Sequence, residues 1–535
     1  MTKTNAALAA LILFLCVGAQ AGPVVQATLS LGNNTAGIAT DPTLAKAFVT
    51  NFDSGTVSVI DLNGLTVVAT IPVGPNPRRI VVDAATHRVY LTNDNSPGSV
   101  TVIDGSMNAI VASIPVGNDP RAIGSNFFIG EVYVSNNGSN TVSVISTATN
   151  TVIATIPVGT SPLTPNSNDL LDKLYVPSFT DSAVSVIDEH THALIKTIPV
   201  GKGPIDATID AQHGKVYVNN ATDKTVSVIN SVTDTVATVI PSGAGGTGTT
   251  ANFVIVSSVY HRAYLPNAVD NTLTIIDTDT DTVTHTVPVG ATPVDSFVDA
   301  NGGNIYVVNQ ASNTVSILSA STETVIDTLP VGNTPWRALD SLNHVLVLNT
   351  NGSNVDSVTI SAEEDTLTTT AIATEFYEAS FDHYFHTADE IETRLLVDGI
   401  FANDWHRTFD FFRVWTAPAT GRVPVCRFFS TAFGAKSSHF YTPYSSECQS
   451  LQVPGSVWQL ESTAVYYLMV PDGNGNCPSN TAPLYRVYNN GMGGAPNHRY
   501  MGDRATRAQM LLLGWTAEGA GPDTVFACTP TLLNG

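Results

Sequence analysis

An all-β fold of repeated four-stranded units, followed by a smaller α+β region, is what this sequence predicts, and three observations carry that prediction. The tetrapeptide Ile-Pro-Val-Gly recurs with its glycine at Gly74, Gly117, Gly159 and Gly201. Looser copies end at Gly32, Gly243, Gly290 and Gly332, so the spacings are 42, 43, 42, 42, 42, 47 and 42 residues. Each period also holds Val-Tyr-Leu-Thr-Asn (residues 89–93) or an echo of it at 132–136, 216–220 and 305–309, with weaker copies beginning at Ala47, Leu174, Ala263 and Val345. A third mark, Thr-Val-Ser-Val-Ile-Asp, follows at a fixed distance, as at 56–61 and, ending in Asn, at 225–230.

Each period thus contains four short runs rich in Val, Ile, Thr and Tyr, separated by Asn, Asp, Gly and Ser. Such runs read as strands and the separators as turns. Four antiparallel strands per period, repeated without helices, make the blades of a β-propeller. Alternation is imperfect in runs such as Val57-Ser58-Val59-Ile60, as expected of strands buried between neighbouring blades. Residues 22–374 form this region, and the repeat count gives eight blades, with seven as the alternative. The last unit, Trp336 to Thr374, is the most degenerate. The run Val24 to Leu31 resembles an outer strand that could complete that unit and close the ring. The three phased marks together resemble the YVTN-type propeller repeat family over about residues 24–374; the resemblance implies a propeller, often of seven blades.

The chain has 535 residues with 23 Lys+Arg against 45 Asp+Glu, a formal charge of −22. Phosphate neutralisation by clustered cations dominates nucleic-acid affinity, so this balance argues against a nucleic-acid partner. At the N-terminus, Lys3 precedes an apolar run from Ala6 to Val17 and then Ala19-Gln20-Ala21. That order is a signal peptide, residues 1–21, cleaved after Ala21. Its apolar run is shorter than the roughly 20 residues of a membrane span, and the bulky Leu15 before Cys16 argues against lipidation. The expectation is a secreted or periplasmic protein with no transmembrane segment.

Cleavage leaves Cys426, Cys448, Cys477 and Cys528, an even number that reads as two disulfides in an exported chain. Three pairings are possible. Cys426–Cys448 with Cys477–Cys528 is preferred because each pair brackets one copy of a second repeat. No cysteine falls between residues 22 and 425, so that region must be held by burial alone.

The second repeat occupies residues 375–535, which hold 25 of the chain's 41 aromatic residues. Its marks are Asp382-His-Tyr-Phe-His-Thr387, Ser438-His-Phe-Tyr-Thr442 and Asn497-His-Arg-Tyr-Met501. Aromatic-rich runs precede them at Glu375–Tyr377, Cys426–Phe429 and Leu484–Tyr488. Helix-prone stretches follow at Ala388–Val397, Ser445–Leu451 and Arg504–Leu513, then an aromatic at Phe401, Trp458 or Trp515. The pattern resembles a repeat domain of uncharacterised function found at the C-termini of secreted bacterial proteins. Three copies imply a compact, pseudo-threefold, disulfide-bonded α+β domain, and the resemblance implies a surface-binding accessory role.

Two constellations are candidates for function. After each Gly-x-x-Pro corner the residue two beyond the proline changes from unit to unit: Arg79, Asp206, Asp295 and Arg337 are its charged versions. Arg78, Arg121 and Trp336 stand one residue earlier. In a propeller this corner leads from an outer strand to the next innermost strand. These seven residues should therefore surround one mouth of the central channel and hold a small anion or a partner's loop, or else salt-bridge one another. The second constellation is His383, Tyr384, His439, Tyr441, His498 and Tyr500. Aromatic faces stack on sugar rings while His and Tyr supply directional hydrogen bonds, and three equivalent sites would add by multivalency; the alternative is a core role. Asp277-Thr-Asp-Thr-Asp281 has the alternating carboxylates of a calcium loop, but Thr282 stands where that motif needs Gly and Pro288 where it needs Glu. His190 and His192 have no phased third ligand. Both read as surface turns.

The composite reading is an exported, non-enzymatic binding protein that calls for no catalytic residue, metal or cofactor. Its propeller is a scaffold, and its C-terminal module attaches to glycan or cell-envelope material. The rivals are a lactonase-like hydrolase acting at the propeller mouth, and a scaffold that docks a protein partner.

Overall fold

The computed structural model describes residues 24–530 apart from 128, 170, 212, 244–252, 258–259, 299–303, 342–343, 351–353, 360–369, 379–382, 389–404, 434–435, 454, 479–480, 490–495 and 503. The signal-peptide expectation, most of the 361–374 stretch, most of the first expected helix and Phe401 lie outside the described residues. Among the described residues no helix is long and apolar enough to cross a membrane.

Eight antiparallel sheets of four strands each follow one another along the chain. Blade 1 is built from Thr35–Asp41, Lys46–Asn51, Thr56–Asp61 and Thr66–Pro72; blade 7 ends with Thr324–Pro330. Blade 8 takes Pro335–Ser341, His344–Asn349 and Asn354–Thr359 from one end of the region and Val24–Ser30 from the other. Chain entry and exit are thereby locked into one sheet. The first strands of successive blades touch all the way round, including Pro335–Ser341 against Thr35–Asp41. The ring closes with eight blades, not seven.

The repeat marks have physical roles. In six of the eight blades the asparagine that ends the second strand donates its amide to two hydroxyls on the facing strand, as Asn220 does to Thr225 (3.1 Å) and Ser227 (2.8 Å). Asn51, Asn93, Asn136, Asn267 and Asn309 repeat the pattern. One residue thus joins the second mark to the third. It also explains the glycine of the first mark: a Cβ on Gly290 would stand 2.6 Å from the Asn309 amide. Between blades, tyrosines of the second strands are buried in apolar clusters shared with the next blade. The Tyr217 hydroxyl reaches Asp281 of the following blade at 2.8 Å, and Lys215 reaches the same carboxylate at 3.0 Å. Tyr175 and Lys173 do the same to Asp234. Apolar burial supplies the bulk of the attraction, and these polar contacts fix the blade-to-blade register.

The C-terminal region forms three further sheets. Each pairs a long strand with the strand that carries a histidine mark: Thr370–Glu378 with His383–Thr387, Cys426–Phe433 with Lys436–Thr442, and Thr481–Tyr488 with His498–Met501. The first sheet begins at Thr370, ahead of the expected boundary at 375. Helices Ser445–Ser450 and Arg504–Leu512 follow the second and third marks. The disulfides are Cys426–Cys448 and Cys477–Cys528, each within one copy of the repeat.

Candidate functional site

The innermost strands begin at the corner prolines, and there the strand register slips, between Pro204 and Asp206, Pro293 and Asp295, and Pro335 and Arg337. Such a bulge re-aims one side chain. Its freed backbone N–H is taken up by a hydroxyl of the second mark: Thr50 accepts from Gly37 at 2.8 Å and Thr92 from Arg79 at 3.2 Å. The re-aimed positions are Gly37, Arg79, Ala122, Asp206, Asp295 and Arg337, and Thr164 and Phe253 stand at the equivalent places in blades 4 and 6. Four of the seven expected mouth residues therefore belong to one ring.

Phe253 is the member that sequence reading missed. Its unit lacks the corner proline, yet it stands four residues before the end of its inner strand, as Gly37, Arg79, Ala122, Thr164, Asp206 and Arg337 do. The guanidinium carbons of Arg337 and Arg79 lie 5.1 and 5.9 Å from its ring centroid, within cation–π range. Arg337 Nε is 4.0 Å from Asp295, whose carboxylate also accepts the Ala338 N–H at 3.2 Å. Asp206 accepts from Asn166 (2.9 Å) and Thr208 (2.7 Å). Burial pushes the Asp295 carboxyl up to about 6, even with Arg337 beside it, and raises Asp206 as well. Burial, followed by the charges of Arg337 and Arg78, holds Arg79 well below the usual guanidinium value. Arg79 is half-buried, and its Nη1 is buried with no hydrogen-bond partner.

A cavity of about 520 Å³ is lined by Thr164, Asn166, Asp206, Phe253 and Arg337 among others. A second, of about 340 Å³, is lined by Arg78, Arg79, Trp336, Phe52 and Gln310. Arg78 and Arg121 do not face Asp206 and Asp295 as the expectation had it. Both turn to Asp94, at 2.8 and 3.8 Å, an acid on a neighbouring loop that the corner pattern could not indicate.

The other motifs resolve into turns. Asp277 accepts the N–H groups of Asp279 and Thr280, and Asp281 is occupied by Lys215 and Tyr217. His192 pairs with Glu131 (2.9 Å) and His190 with Asp172 (3.3 Å), so the two histidines diverge.

In the C-terminal region His383, His439, His498, Tyr441 and Tyr500 are all buried. The Tyr441 hydroxyl donates to the His386 carbonyl (2.7 Å) and the Tyr500 hydroxyl to the Tyr441 carbonyl (2.8 Å), linking copy to copy. His439 sits 2.8 Å from His383 and 3.2 Å from Glu461, which also pairs with Arg427. His498 repeats this with Glu518 and Arg486. Burial drives His383 well below its usual value and His498 down to about 3. A buried ring offers no face to a sugar, so of the six residues expected to bind glycan only Tyr384 is left for that role. It is half-buried, 4.7 Å from Tyr377 and 6.2 Å from Trp515 by ring centroid.

A known domain family, described as "Domain of unknown function (DUF5648)", matches residues 346–468 and 373–524. No curated protein matches the chain. Among solved structures, hydrazine synthase of Kuenenia stuttgartiensis is similar with a TM-score of 0.45 and 16% identity, covering 62% of this chain and 97% of that one. Dihydro-heme d1 dehydrogenase NirN, in complex with DHE, is similar with a TM-score of 0.48 and 17% identity, covering 57% and 67%. Neither likeness is close enough to speak to activity.

Proposed function

We propose that this is an exported binding protein that holds a small anionic ligand at the propeller mouth, with the C-terminal region serving as a module that attaches to glycan or envelope material. The observation that carries the reading is the pair Arg79 and Arg337. Two guanidinium groups lie against one aromatic ring, repel each other, and leave a buried N–H of Arg79 unpartnered. A carboxylate or phosphate placed there would satisfy that donor with a charge-assisted hydrogen bond. The ring's own carboxylates are already engaged by Asn166, Thr208 and Ala338, which favours holding a ligand over breaking its bonds. Two disulfides fit an oxidising, exported setting. For attachment, the half-buried rings of Tyr377, Tyr384 and Trp515 supply the stacking surface.

Calorimetric titration of the full chain with citrate, phosphate and galacturonate tests this. The expected result is saturable binding of at least one of them, weakened about tenfold or more in Arg79→Met, consistent with the loss of a charge-assisted hydrogen bond. Binding unchanged in Arg79→Met and Arg337→Met would reject the mouth as the site. Turnover of a lactone lost in the same variants would favour the hydrolase instead.

A further inference from the structure

The strands that start at the mouth carry a second cluster at their other end. His213 lies in the hairpin between Pro204–Asp210 and Lys215–Asn220 of blade 5. His261 and Asp279 lie in two hairpins of blade 6, before Arg262–Asn267 and after Thr272–Asp277. His213 Nε2 is 3.0 Å from Asp279 Oδ1, His261 Nδ1 is 2.9 Å from the same oxygen, and the two nitrogens are 3.2 Å apart. Behind them the buried Asp210 carboxylate lies 2.8 Å from His213 Nδ1.

We propose that His213, His261 and Asp279 bind a divalent transition cation such as zinc, with Asp210 as the positioning residue. Asp210 fixes the His213 ring through Nδ1 and leaves Nε2 turned toward the Asp279 carboxylate oxygen and the His261 ring nitrogen. The three atoms all lie against one another, and no single proton can serve all three contacts. A cation satisfies them together. Tetrahedral ligand atoms held 2.0–2.1 Å from zinc stand about 3.3–3.4 Å from one another, so the 2.9–3.2 Å found has only to open by a few tenths of an ångström. Two imidazoles and one carboxylate suit zinc, iron(II), cobalt or nickel better than calcium or magnesium. A carboxylate behind a ligating histidine is the usual device for orienting it.

The propeller itself does not call for the three together. The positions equivalent to His213 are Leu44, Thr86, Ile129, Leu171 and Tyr260, and those equivalent to Asp279 include Asn63, Ser106, Val232 and Ser321. A histidine recurs at the His261 position as His87, which pairs with Asp41 at 2.9 Å, but there Leu44 and Ser106 stand in place of His213 and Asp279. The cluster also stays open to solvent: the side chain of Asp279 is 56% exposed and that of His261 41%, which leaves coordination positions for water or a further ligand.

The test is titration of the chelator-treated full-length protein with Zn²⁺ by calorimetry and with Co²⁺ by visible absorption, with Ca²⁺ as the control. One Zn²⁺ per chain is expected, displacing Co²⁺. Binding should fall by about 100-fold or more in His213→Ala and His261→Gln on loss of a ligand, and by about 10–100-fold in Asp210→Asn. His190→Ala should bind as the parent does. Asp279→Asn, on an exposed turn, keeps the test decisive if a histidine variant fails to fold. Failure to bind Zn²⁺, binding indifferent to His213→Ala, His261→Gln and Asp279→Asn, or Ca²⁺ binding as tight as Zn²⁺ would overturn the proposal.

Discussion

The propeller, residues 24–359, contains no cysteine, whereas the sheets between 370 and 530 carry two disulfides and a core of buried histidines and tyrosines. The difference follows from closure and size. A ring of eight blades buries both faces of most blades against neighbours, so each interface is one of many equivalent ones and stability accumulates by repetition. The three-copy region has far fewer strands to pack. A small core gains from covalent staples and from large aromatic side chains, and here it also spends histidines on structure. Burial that keeps His383 and His498 neutral makes the two regions respond to solution conditions with opposite signs.

Reduction should sharpen this contrast most. The Cys477–Cys528 bridge spans 51 residues and Cys426–Cys448 spans 22; closing loops of those lengths is worth about 4 and about 3 kcal/mol. Calorimetric scans with and without dithiothreitol should show a transition that falls on reduction and one that does not move. A uniform fall would mean the two regions unfold together.

A change of pH from 7 to 5 comes next. His498 titrates at about 3 in the fold against about 6.5 when unfolded, so unfolding takes up a proton below pH 6.5 and the C-terminal region loses stability as pH falls. Glu189 titrates at about 7, raised by burial, and Asp295 at about 6. Folding of the propeller takes up protons in the same window, so it gains stability. At about 1.4 kcal/mol per unit, each effect is on the order of 2 kcal/mol. Glu189→Gln should abolish most of the propeller's gain. Movement of both transitions in one direction would break the comparison.

The smallest expected effect lies within the propeller. Tyr217→Phe removes the hydroxyl bonded to Asp281 across a blade interface and should cost about 1 kcal/mol. Tyr264→Phe removes an equivalent hydroxyl that has no hydrogen-bond partner and should cost close to nothing. Equal losses would show that the inter-blade bond is not what the tyrosine contributes.

Much of this was legible in the sequence because repetition isolates physical roles. The phased Asn, Gly and Thr-Val-Ser marks are the two faces of one hydrogen-bonded hairpin, so their spacing gives blade length and strand order. The disulfides were readable because each pair brackets one copy. The site was partly legible: Arg79, Asp206, Asp295 and Arg337 stand out because they vary where the corner is constant. Phe253 escaped because its unit has lost the corner proline. Asp94, Glu461 and Glu518 escaped because partners supplied by other strands carry no local signal. The C-terminal histidines gave no sign of their orientation, since a core residue and a ligand residue recur equally well in a repeat. His213, His261 and Asp279 come from three turns of two blades and meet only once blades 5 and 6 have packed together.

The most direct test of the central claim is the pH dependence of anion affinity at the mouth, measured with galacturonate, whose own carboxylate stays ionised between pH 7.5 and 5. Protonation of Asp295 below its value of about 6 leaves Arg79 and Arg337 with one fewer competing charge. Affinity should therefore rise between pH 7.5 and 5, and Asp295→Asn should already bind at pH 7.5 as tightly as the parent does at pH 5. An affinity that falls on acidification, or an Asp295→Asn variant that behaves as the parent does throughout, would contradict the assignment of the ligand site to the Arg79–Phe253–Arg337 ring.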